Sequence, residues 1–159
     1  MAKSLVAYFS ATDTTARVAR ELAKAAGADT FAIEPEVPYT RADLNWNDRT
    51  SRSSIEMDDE SSRPAISGTV ADMAQYDTVF VGFPVWWYVE PRIIDTFLEQ
   101  YDFSGKTIVP FATSGGSGLG KAPQRMQQIA AGAKVLSGRL LNGRPNAKEL
   151  SSWVAGLGI

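Results

Sequence analysis

The stretch K-S-L-V-A-Y-F-S-A-T-D-T-T, from Lys3 to Thr15, decides the interpretation of this chain. Its first half, Leu5 to Phe9, is an uncharged apolar run, which is typical of a parallel strand buried on both faces. The alanine-rich amphipathic segment 16–26 follows at once and predicts a helix. A buried strand that enters a helix through a hydroxyl-rich turn is a good position for a phosphate, because the first helical turn offers unpaired N–H groups and partial positive charge.

The hydroxyl groups of this turn have two explanations. Ser10, Thr12 and Thr14 either cap the helix or donate to a phosphate, and the turn alone leaves the two about equally open. It contains no G-x-G-x-x-G and no G-K-[ST], so it resembles neither a dinucleotide-binding loop nor a P-loop.

Composition narrows the chemistry. The 159 residues suit a single domain over 1–159, and 44% of them are hydrophobic. There is no cysteine and no histidine, which removes thiolate nucleophiles, the commonest general base and the commonest metal ligands. We therefore expect no metal site and no catalytic side chain, with any reaction chemistry supplied by a cofactor.

Charge and hydropathy indicate the setting. The formal net charge of −2 gives no reason to expect nucleic acid or an anionic membrane as a partner. The first strand begins without the layout of a signal peptide, and no apolar run approaches the ~20 residues of a membrane span. A cytoplasmic location is the expectation.

Strand and helix patterns alternate along the rest of the chain. Further strands are predicted at 29–34, 78–82, 107–112, with a bulge at Pro110, and 134–140. Further helices are predicted at 67–75, from Pro91 onward, at 123–131 and at 147–157. This alternation predicts a doubly wound α/β fold with a five-stranded parallel sheet.

The polar segment 35–64 interrupts the alternation. A loop of this length is often functional, and it is predicted to contain at most a short helix at 41–48. Tyr39, Leu44 and Trp46 are candidates to anchor it to the body. Its acidic cluster, at Glu56, Asp58, Asp59 and Glu60, suggests a metal site or a solvated loop face, and the second is favoured.

Two further loops follow predicted strands. The first, after the third strand, holds a run of aromatic residues that either closes the end of the core or stacks on a flat ligand. It consists of Pro84, Val85, Trp86, Trp87 and Tyr88. The second, after the fourth strand, is rich in glycine and is either flexible or a backbone surface for a ligand. It includes Thr113, Ser114, Gly115, Gly116 and Ser117.

These loops meet if the strand order is 2-1-3-4-5. Strands one, three and four are then neighbours, and their carboxyl ends surround the crevice where the strand order reverses. A phosphorylated planar molecule fits a crevice with a phosphate-binding turn, an aromatic wall and a glycine-rich surface.

The chain resembles the flavodoxins, in particular bacterial flavodoxin-like proteins with a long segment between the second strand and second helix. The resemblance rests on Y-F-S-A-T-D-T-T at 8–15, Y-D-T-V-F-V-G-F-P-V-W-W at 76–87 and F-S-G-K-T-I-V-P-F-A-T-S-G-G-S-G at 103–118. It implies the flavodoxin-like sheet order and non-covalent FMN. It also implies that Ser10, Thr12, Asp13, Thr14 and Thr15 hold the phosphate, and that 84–88 and 113–117 flank the isoalloxazine.

Two positions depart from the family pattern. Asp13 stands where flavodoxins usually have glycine, and its charge would repel a phosphate unless it points to solvent. Gly115 and Gly116 occupy the region of the usual stacking tyrosine, so stacking would come from Trp86, Trp87 or Tyr88.

The resemblance implies a low-potential electron-transfer protein that serves redox partner proteins. Two alternatives stay open at this point. One is an NAD(P)H-dependent FMN reductase acting on quinones or similar acceptors, with arginines of the 35–63 segment meeting the nicotinamide cofactor's phosphates. The other is a flavin-free binding module in which Asp13 has disabled the phosphate site.

Overall fold

A computed structural model describes residues 3–11, 13–113, 118–142 and 145–158. The parallel sheet contains β1 (Ser4–Tyr8), β2 (Asp29–Ala32), β5 (Thr78–Pro84), β6 (Thr107–Thr113), β7 (Lys134–Val135) and β8 (Arg139–Leu140). The helices are α1 (Asp13–Ala26), α2 (Arg52–Asp58), α3 (Arg92–Gln100), α4 (Ala122–Ile129) and α5 (Ala147–Gly156). No helix in these ranges is long and apolar enough to cross a bilayer.

The sheet has the predicted order. β2, β1, β5 and β6 lie side by side and are parallel, and the fifth position is shared by β7 and β8. The central strands are buried on both faces, as their uncharged sequences predict, with β5 buried from Thr78 to Phe83. The doubly wound, flavodoxin-like α/β fold is therefore confirmed.

The core forms one layer on each face of the sheet. Alternate residues of β1 show the division, since Leu5 and Ala7 pack with α3 and α4 while Val6 packs with α1 and α5. Helix α1 contributes Val18, Ala19 and Leu22, which share one helical face and are buried. The two layers hold the carboxyl ends of the central strands at one edge of the sheet.

Pro110 explains why the fifth strand is split. Leu136 N–H donates to Ile108 O at 2.9 Å, and Leu141 N–H donates to Ala112 O at 2.8 Å. Alternate residues of β6, including Pro110, therefore face the edge strand. Proline has no N–H to donate, so pairing stops after β7 and resumes at β8. The sequence predicted one strand at 134–140 and a bulge in its neighbour, but β6 is continuous and the interruption lies opposite it.

The prediction of a helix at 67–75 is wrong. This segment contains β4 (Ile66–Ser67), a turn and a short 3₁₀ helix at Met73–Gln75. Gly68 and Asp72 have φ values of +81° and +51°, which a right-handed helix does not allow. Residues 41–48 form turns, and the helix of this region is α2, which starts at an N-cap formed by Ser51.

The long segment is closed at its base. β3 (Glu34–Pro35) pairs with β4 in an antiparallel ladder, and Glu36 N–H donates to Ala65 O at 2.9 Å. We call residues 36–65, which lie between these two strands, the insert. It contains α2, so it is not the structureless loop that its composition suggested.

Candidate functional site

Three loops leave the sheet at neighbouring strand ends. Phe9, which follows β1, donates its N–H to Gly82 O of β5 at 2.9 Å. Val85, which follows β5, donates its N–H to Thr113 O of β6 at 2.9 Å. The loops after β1, β5 and β6 therefore begin side by side, at the carboxyl edge where ligands bind in open α/β sheets.

The turn between β1 and α1 presents its polar groups in different directions. The Ser10 hydroxyl accepts a hydrogen bond from Ala16 N–H at 3.1 Å, as a capping side chain does. Asp13 and Thr14 are exposed at the start of α1, whereas Thr15 is only 2% exposed. Thr12, also a predicted phosphate ligand, lies outside the described residues.

Asp13 points into solvent. Its side chain is 77% exposed, and its carboxylate lies 3.6 Å from the guanidinium of Arg20, two turns further along α1. This is the orientation in which an aspartate at this position is compatible with a nearby phosphate.

Thr15 joins two of the three loops. Its hydroxyl oxygen lies 2.8 Å from that of Thr113, and both residues are buried. Each hydroxyl has one hydrogen, and their mutual bond uses one of the two. The pair fixes the start of α1 against the end of β6.

We expect the two threonines to act as a unit. Thr15→Val should lower the free energy of unfolding by about 1–3 kcal/mol, because it leaves the buried Thr113 hydroxyl without its partner. Thr15→Val with Thr113→Val removes both polar groups and should cost less than the sum of the two single changes. Urea unfolding of the four proteins measures this coupling, and strictly additive losses would contradict it.

The aromatic loop is a tight hairpin. Trp86 N–H donates to Val89 O at 3.0 Å, and Val89 N–H donates to Trp86 O at 3.2 Å. The two residues between them, Trp87 and Tyr88, have φ values of +49° and +68°. Positive φ at both central positions defines a type I′ turn, which normally selects asparagine and glycine. We call residues 86–89 the aromatic hairpin, and its backbone is held in a strained conformation of the kind that clusters at functional sites.

The aromatic residues divide between the two predicted roles, closing the end of the core and offering a ring to a flat ligand. Trp86 packs edge-on against Phe9, at a centroid distance of 5.7 Å, and against Tyr39 of the insert, at 5.6 Å. It closes the end of the core. Trp87 and Tyr88 are 44% and 68% exposed, so their rings are accessible to a ligand.

The segment before α4 supports the hairpin. Lys121 N–H donates to Tyr88 O at 3.2 Å. Gly120 has φ +56°, and a Cβ at this position would overlap the Tyr88 carbonyl oxygen. The adjoining predicted residues, Ser114, Gly115, Gly116 and Ser117, lie outside the described residues.

A cleft of about 400 Å³ opens beside the β1–α1 turn. It lies on the β2 side and is lined in part by Ser10, Asp13 and Glu34. The space next to the predicted phosphate turn is thus open, and its rim is acidic.

Tyr39 anchors the insert to this region. Its ring lies 5.6 Å from Phe9, and the Arg52 guanidinium carbon lies 3.8 Å above the ring centroid. Its hydroxyl donates to Glu56, which also binds Arg52 Nε at 3.0 Å. Burial, together with the bond to Glu56, raises the pKa of Tyr39. Of the other predicted anchors, Trp46 is 70% exposed and does not serve as one.

Sequence reasoning missed a set of buried charges next to the hairpin. Glu90 and Asp95 are fully buried, and Arg125 of α4 binds both, at 2.9 and 3.3 Å. Arg92 is 4% exposed and donates to the carbonyl oxygens of Glu56 and Met57 at 3.3 and 2.8 Å. The signal was the run E-P-R-I-I-D at 90–95, in which charged residues interrupt the apolar face of α3.

The acidic cluster of the insert shows no metal-binding arrangement. Within the described ranges, no group of three or more acidic side chains is placed to hold a metal ion. Instead, Glu56 binds Arg52, and Glu60 binds Arg125 at 3.2 Å.

The fold and this edge of the sheet together define a class, the α/β proteins that bind a ligand where a flavodoxin-like strand order reverses. The chain belongs to the flavodoxin family, whose sequence model matches residues 3–157. None of the curated proteins matches the sequence.

Solved structures agree with this assignment. A candidate flavoprotein from Bacteroides eggerthii is 47% identical, with a TM-score of 0.95 over 100% of this chain and 99% of that one. A flavoprotein from Lactobacillus acidophilus, solved in complex with FMN, is 21% identical, with a TM-score of 0.75 over 97% and 99%. Oxidised flavodoxin 2 from Bacillus cereus is 14% identical, with a TM-score of 0.58 over 99% and 98%. The last two, at these identities, support the fold alone.

Proposed function

We propose that this chain binds FMN non-covalently and acts as a low-potential electron-transfer protein for redox partner proteins. The observation that carries the proposal is the hydroxyl bond between Thr15 and Thr113 at 2.8 Å. It joins the start of α1, which we assign to the phosphate, to the end of β6, where the loop that we assign to the flavin ring begins. The FMN complex of the Lactobacillus acidophilus protein lends support from a shared fold.

The residues present fit FMN. The start of α1 offers backbone N–H groups and the exposed Thr14, and Asp13 turns its charge towards Arg20. Phosphate contacts are assigned to Ser10, Thr12, Asp13, Thr14 and Thr15. The isoalloxazine is assigned to residues 84–88 and 113–117, with Trp87 and Tyr88 as the stacking rings because Trp86 is occupied by Phe9 and Tyr39.

Bound FMN would supply the redox chemistry. The chain's own residues bind the phosphate, orient the ring by stacking and backbone contacts, and exclude water from one side of it. A site of low dielectric constant would disfavour a negative charge on the flavin, which would favour a low potential. No protein side chain is required as an acid or a base.

The reductase alternative is less well supported. Of the arginines in the insert, Arg52 binds Glu56 and Val37 O, and Arg63 binds Glu99 and Glu60 O. These two guanidiniums stabilise the insert, which leaves Arg41 and Arg49 as exposed candidates for a nicotinamide cofactor's phosphates.

A titration of the apoprotein with FMN, followed by quenching of flavin fluorescence, tests the proposal. We expect saturable quenching at one FMN per chain and little steady-state NAD(P)H oxidation by the loaded protein. Rapid NAD(P)H oxidation would favour the reductase. Absence of quenching at micromolar protein would favour the flavin-free module and contradict FMN binding.

Asp13→Asn should change the FMN dissociation constant by no more than about fivefold, because an exposed charge is screened and already paired. The same fluorescence titration at low and high salt measures this. Arg20→Gln is the matched control, since it removes the partner and leaves Asp13 uncompensated. A gain of a hundredfold or more in Asp13→Asn would show that Asp13 faces the phosphate.

A further inference from the structure

The buried charges beside the aromatic hairpin form a cluster around one guanidinium, that of Arg125. Its three nitrogens contact three carboxyl groups from different parts of the chain. Nε donates to Glu90 Oε1 at 2.9 Å, Nη2 to Asp95 Oδ2 at 3.3 Å and Nη1 to Glu60 Oε1 at 3.2 Å. Glu90 follows the hairpin directly, Asp95 belongs to α3 and Glu60 to the insert. The guanidinium plane is therefore fixed from three sides, which suits the rigid fork of arginine.

Helix α4 also holds the hairpin through its backbone. Lys121, the N-cap of α4, donates its N–H to Tyr88 O at 3.2 Å, and Lys121 O accepts from Arg125 N–H at 3.0 Å. The start of α4 thus carries two supports, a main-chain bond to the turn of the hairpin and a side-chain bond to Glu90 at its end. The other end is held by the aromatic contacts of Trp86.

The hairpin needs this support because its backbone is strained. Positive φ at Trp87 and Tyr88 persists only where the surrounding structure holds it. Glu90 is fully buried, and among the described residues Arg125 is its only ion-pair partner. Without Arg125 this carboxyl group would lose that partner, so the end of the hairpin would move toward solvent.

We infer that Arg125 is a positioning residue for the aromatic hairpin, and that through Glu90 it holds the rings of Trp87 and Tyr88 where a flat ligand stacks. The role of the ligand rests on the proposed function, but the position of the hairpin can be measured without FMN. The Arg125 side chain is 19% exposed and its nitrogens bind carboxyl groups, so it acts through the hairpin rather than on the ligand.

The bond between Arg125 and Glu90 does not require an ionised carboxyl group. Burial, with the charge of Asp95 next in importance, raises the pKa of Glu90 to about 8. Oε1 can accept from Arg125 Nε in either protonation state. Glutamine at this position keeps an acceptor oxygen, whereas leucine fills a similar volume without one.

Fluorine NMR of the apoprotein labelled with fluorotryptophan tests the position of the hairpin. The chain has four tryptophans, and Trp87→Phe identifies the signal of Trp87. We expect Glu90→Leu and Arg125→Lys to shift or broaden this signal, because leucine offers no acceptor and a lysine ammonium is a point charge in place of a fork. The conservative Glu90→Gln should preserve the signal. An unchanged Trp87 signal in either disruptive variant would overturn the positioning role, and Glu90→Leu provides this test even if Arg125→Lys fails to fold. A shift in Glu90→Gln as large as in Glu90→Leu would overturn it as well.

A core variant on the other face of the sheet separates positioning from a general loss of stability. Leu150 of α5 is 1% exposed and belongs to the layer that contains Val6 and Phe80. Leu150→Ala should destabilise the protein by leaving a cavity and should not move the Trp87 signal. If it shifted that signal as much as Glu90→Leu does, the effect would be global and the positioning role would be contradicted.

The FMN titration of the same variants tests whether the position of the hairpin matters for the ligand. If the hairpin is in the stacking position for only about a tenth of the time, the apparent dissociation constant rises about tenfold. We expect a rise of about this size or more in Glu90→Leu and Arg125→Lys, and affinity close to that of the wild type in Glu90→Gln and Leu150→Ala.

The two readouts can fail separately. A shifted Trp87 signal with unchanged FMN affinity would overturn the link to the ligand. Absence of FMN binding by the wild type would contradict the proposed function and that link with it, while the Trp87 signal of the apoprotein would still decide whether Arg125 positions the hairpin.

Discussion

Replacing Asp95 with alanine should lower the free energy of unfolding by about 3–5 kcal/mol, the usual cost of removing one partner from a buried ion cluster. Asp95 is fully buried, and its Oδ2 accepts a hydrogen bond from Arg125 and forms ion pairs with Arg63 and Arg92. Arg92 is affected most, because it is 4% exposed and its Nη1 has no hydrogen-bond partner besides this ion pair. The variant leaves that positive charge buried and uncompensated.

Urea unfolding at pH 7 measures the loss, and Glu99→Ala is the matched comparison. Glu99 also belongs to α3 and binds Arg63 at 3.1 Å, but its side chain is 49% exposed. Water can replace it as a partner of Arg63, so we expect only a small change. If Asp95→Ala were no more costly than Glu99→Ala, the buried cluster would contribute nothing to stability.

The buried charge cluster has a large expected effect on stability, yet it could not be predicted from the sequence. Arg125 is distant in sequence from Glu90 and Asp95, and each of the three has the residue type of an ordinary surface position. The run at 90–95 marks the two acids, but their burial with Arg125 depends on how α3 and α4 pack against the insert, and no local pattern encodes that packing. The central strands were predictable because β1, β5 and β6 are uncharged runs, a signal that does not depend on distant contacts. Their order was implied by the resemblance to the flavodoxins.

The second helix was predicted at the wrong place because tertiary contacts, not local sequence pattern, decide where it forms. Residues 67–75 have a fair helical pattern, but they take positive φ at Gly68 and Asp72, and Val70 N–H donates to the Tyr101 hydroxyl at 2.9 Å. The polar segment 52–58 forms α2 because Arg92 binds its terminal carbonyl groups and Tyr39 binds Glu56. Such contacts outweigh intrinsic helix propensity in a helix of seven residues.

The candidate site could be predicted from the sequence only in part. The loops after β1, β5 and β6 could be read from the sequence, and the structure brings Thr15 and Thr113 into contact. What the sequence left open was how the three aromatic residues divide between core and surface. Trp86 packs against the ring of Tyr39, which comes from the distant insert. Trp87 and Tyr88 are the two central residues of the turn.

Gly120→Ala, which adds a single methyl group, should strongly disturb the candidate site. Gly120 adopts φ +56°, and an added Cβ would overlap the carbonyl oxygen of Tyr88. The residue thus combines two demands, a left-handed backbone and a close approach to the hairpin, and only glycine meets both without strain. Strain of this kind costs about 1–3 kcal/mol.

The strain should change either the free energy of unfolding or the affinity for FMN, and both can be measured. If the hairpin holds its place, the free energy of unfolding falls by about 1–3 kcal/mol in urea. If the hairpin shifts instead, stability is kept and the FMN dissociation constant rises, by roughly 5- to 150-fold for the same energy.

Gly118→Ala is the control, because Gly118 lies in the same segment, has no positive φ and has nothing within 4 Å of an added Cβ. We expect that variant to match the wild type in both stability and FMN affinity. If Gly120→Ala also matched the wild type in both, the Tyr88 carbonyl would not be fixed against this segment. The aromatic hairpin would then lack the rigid support that the proposed flavin stacking would need.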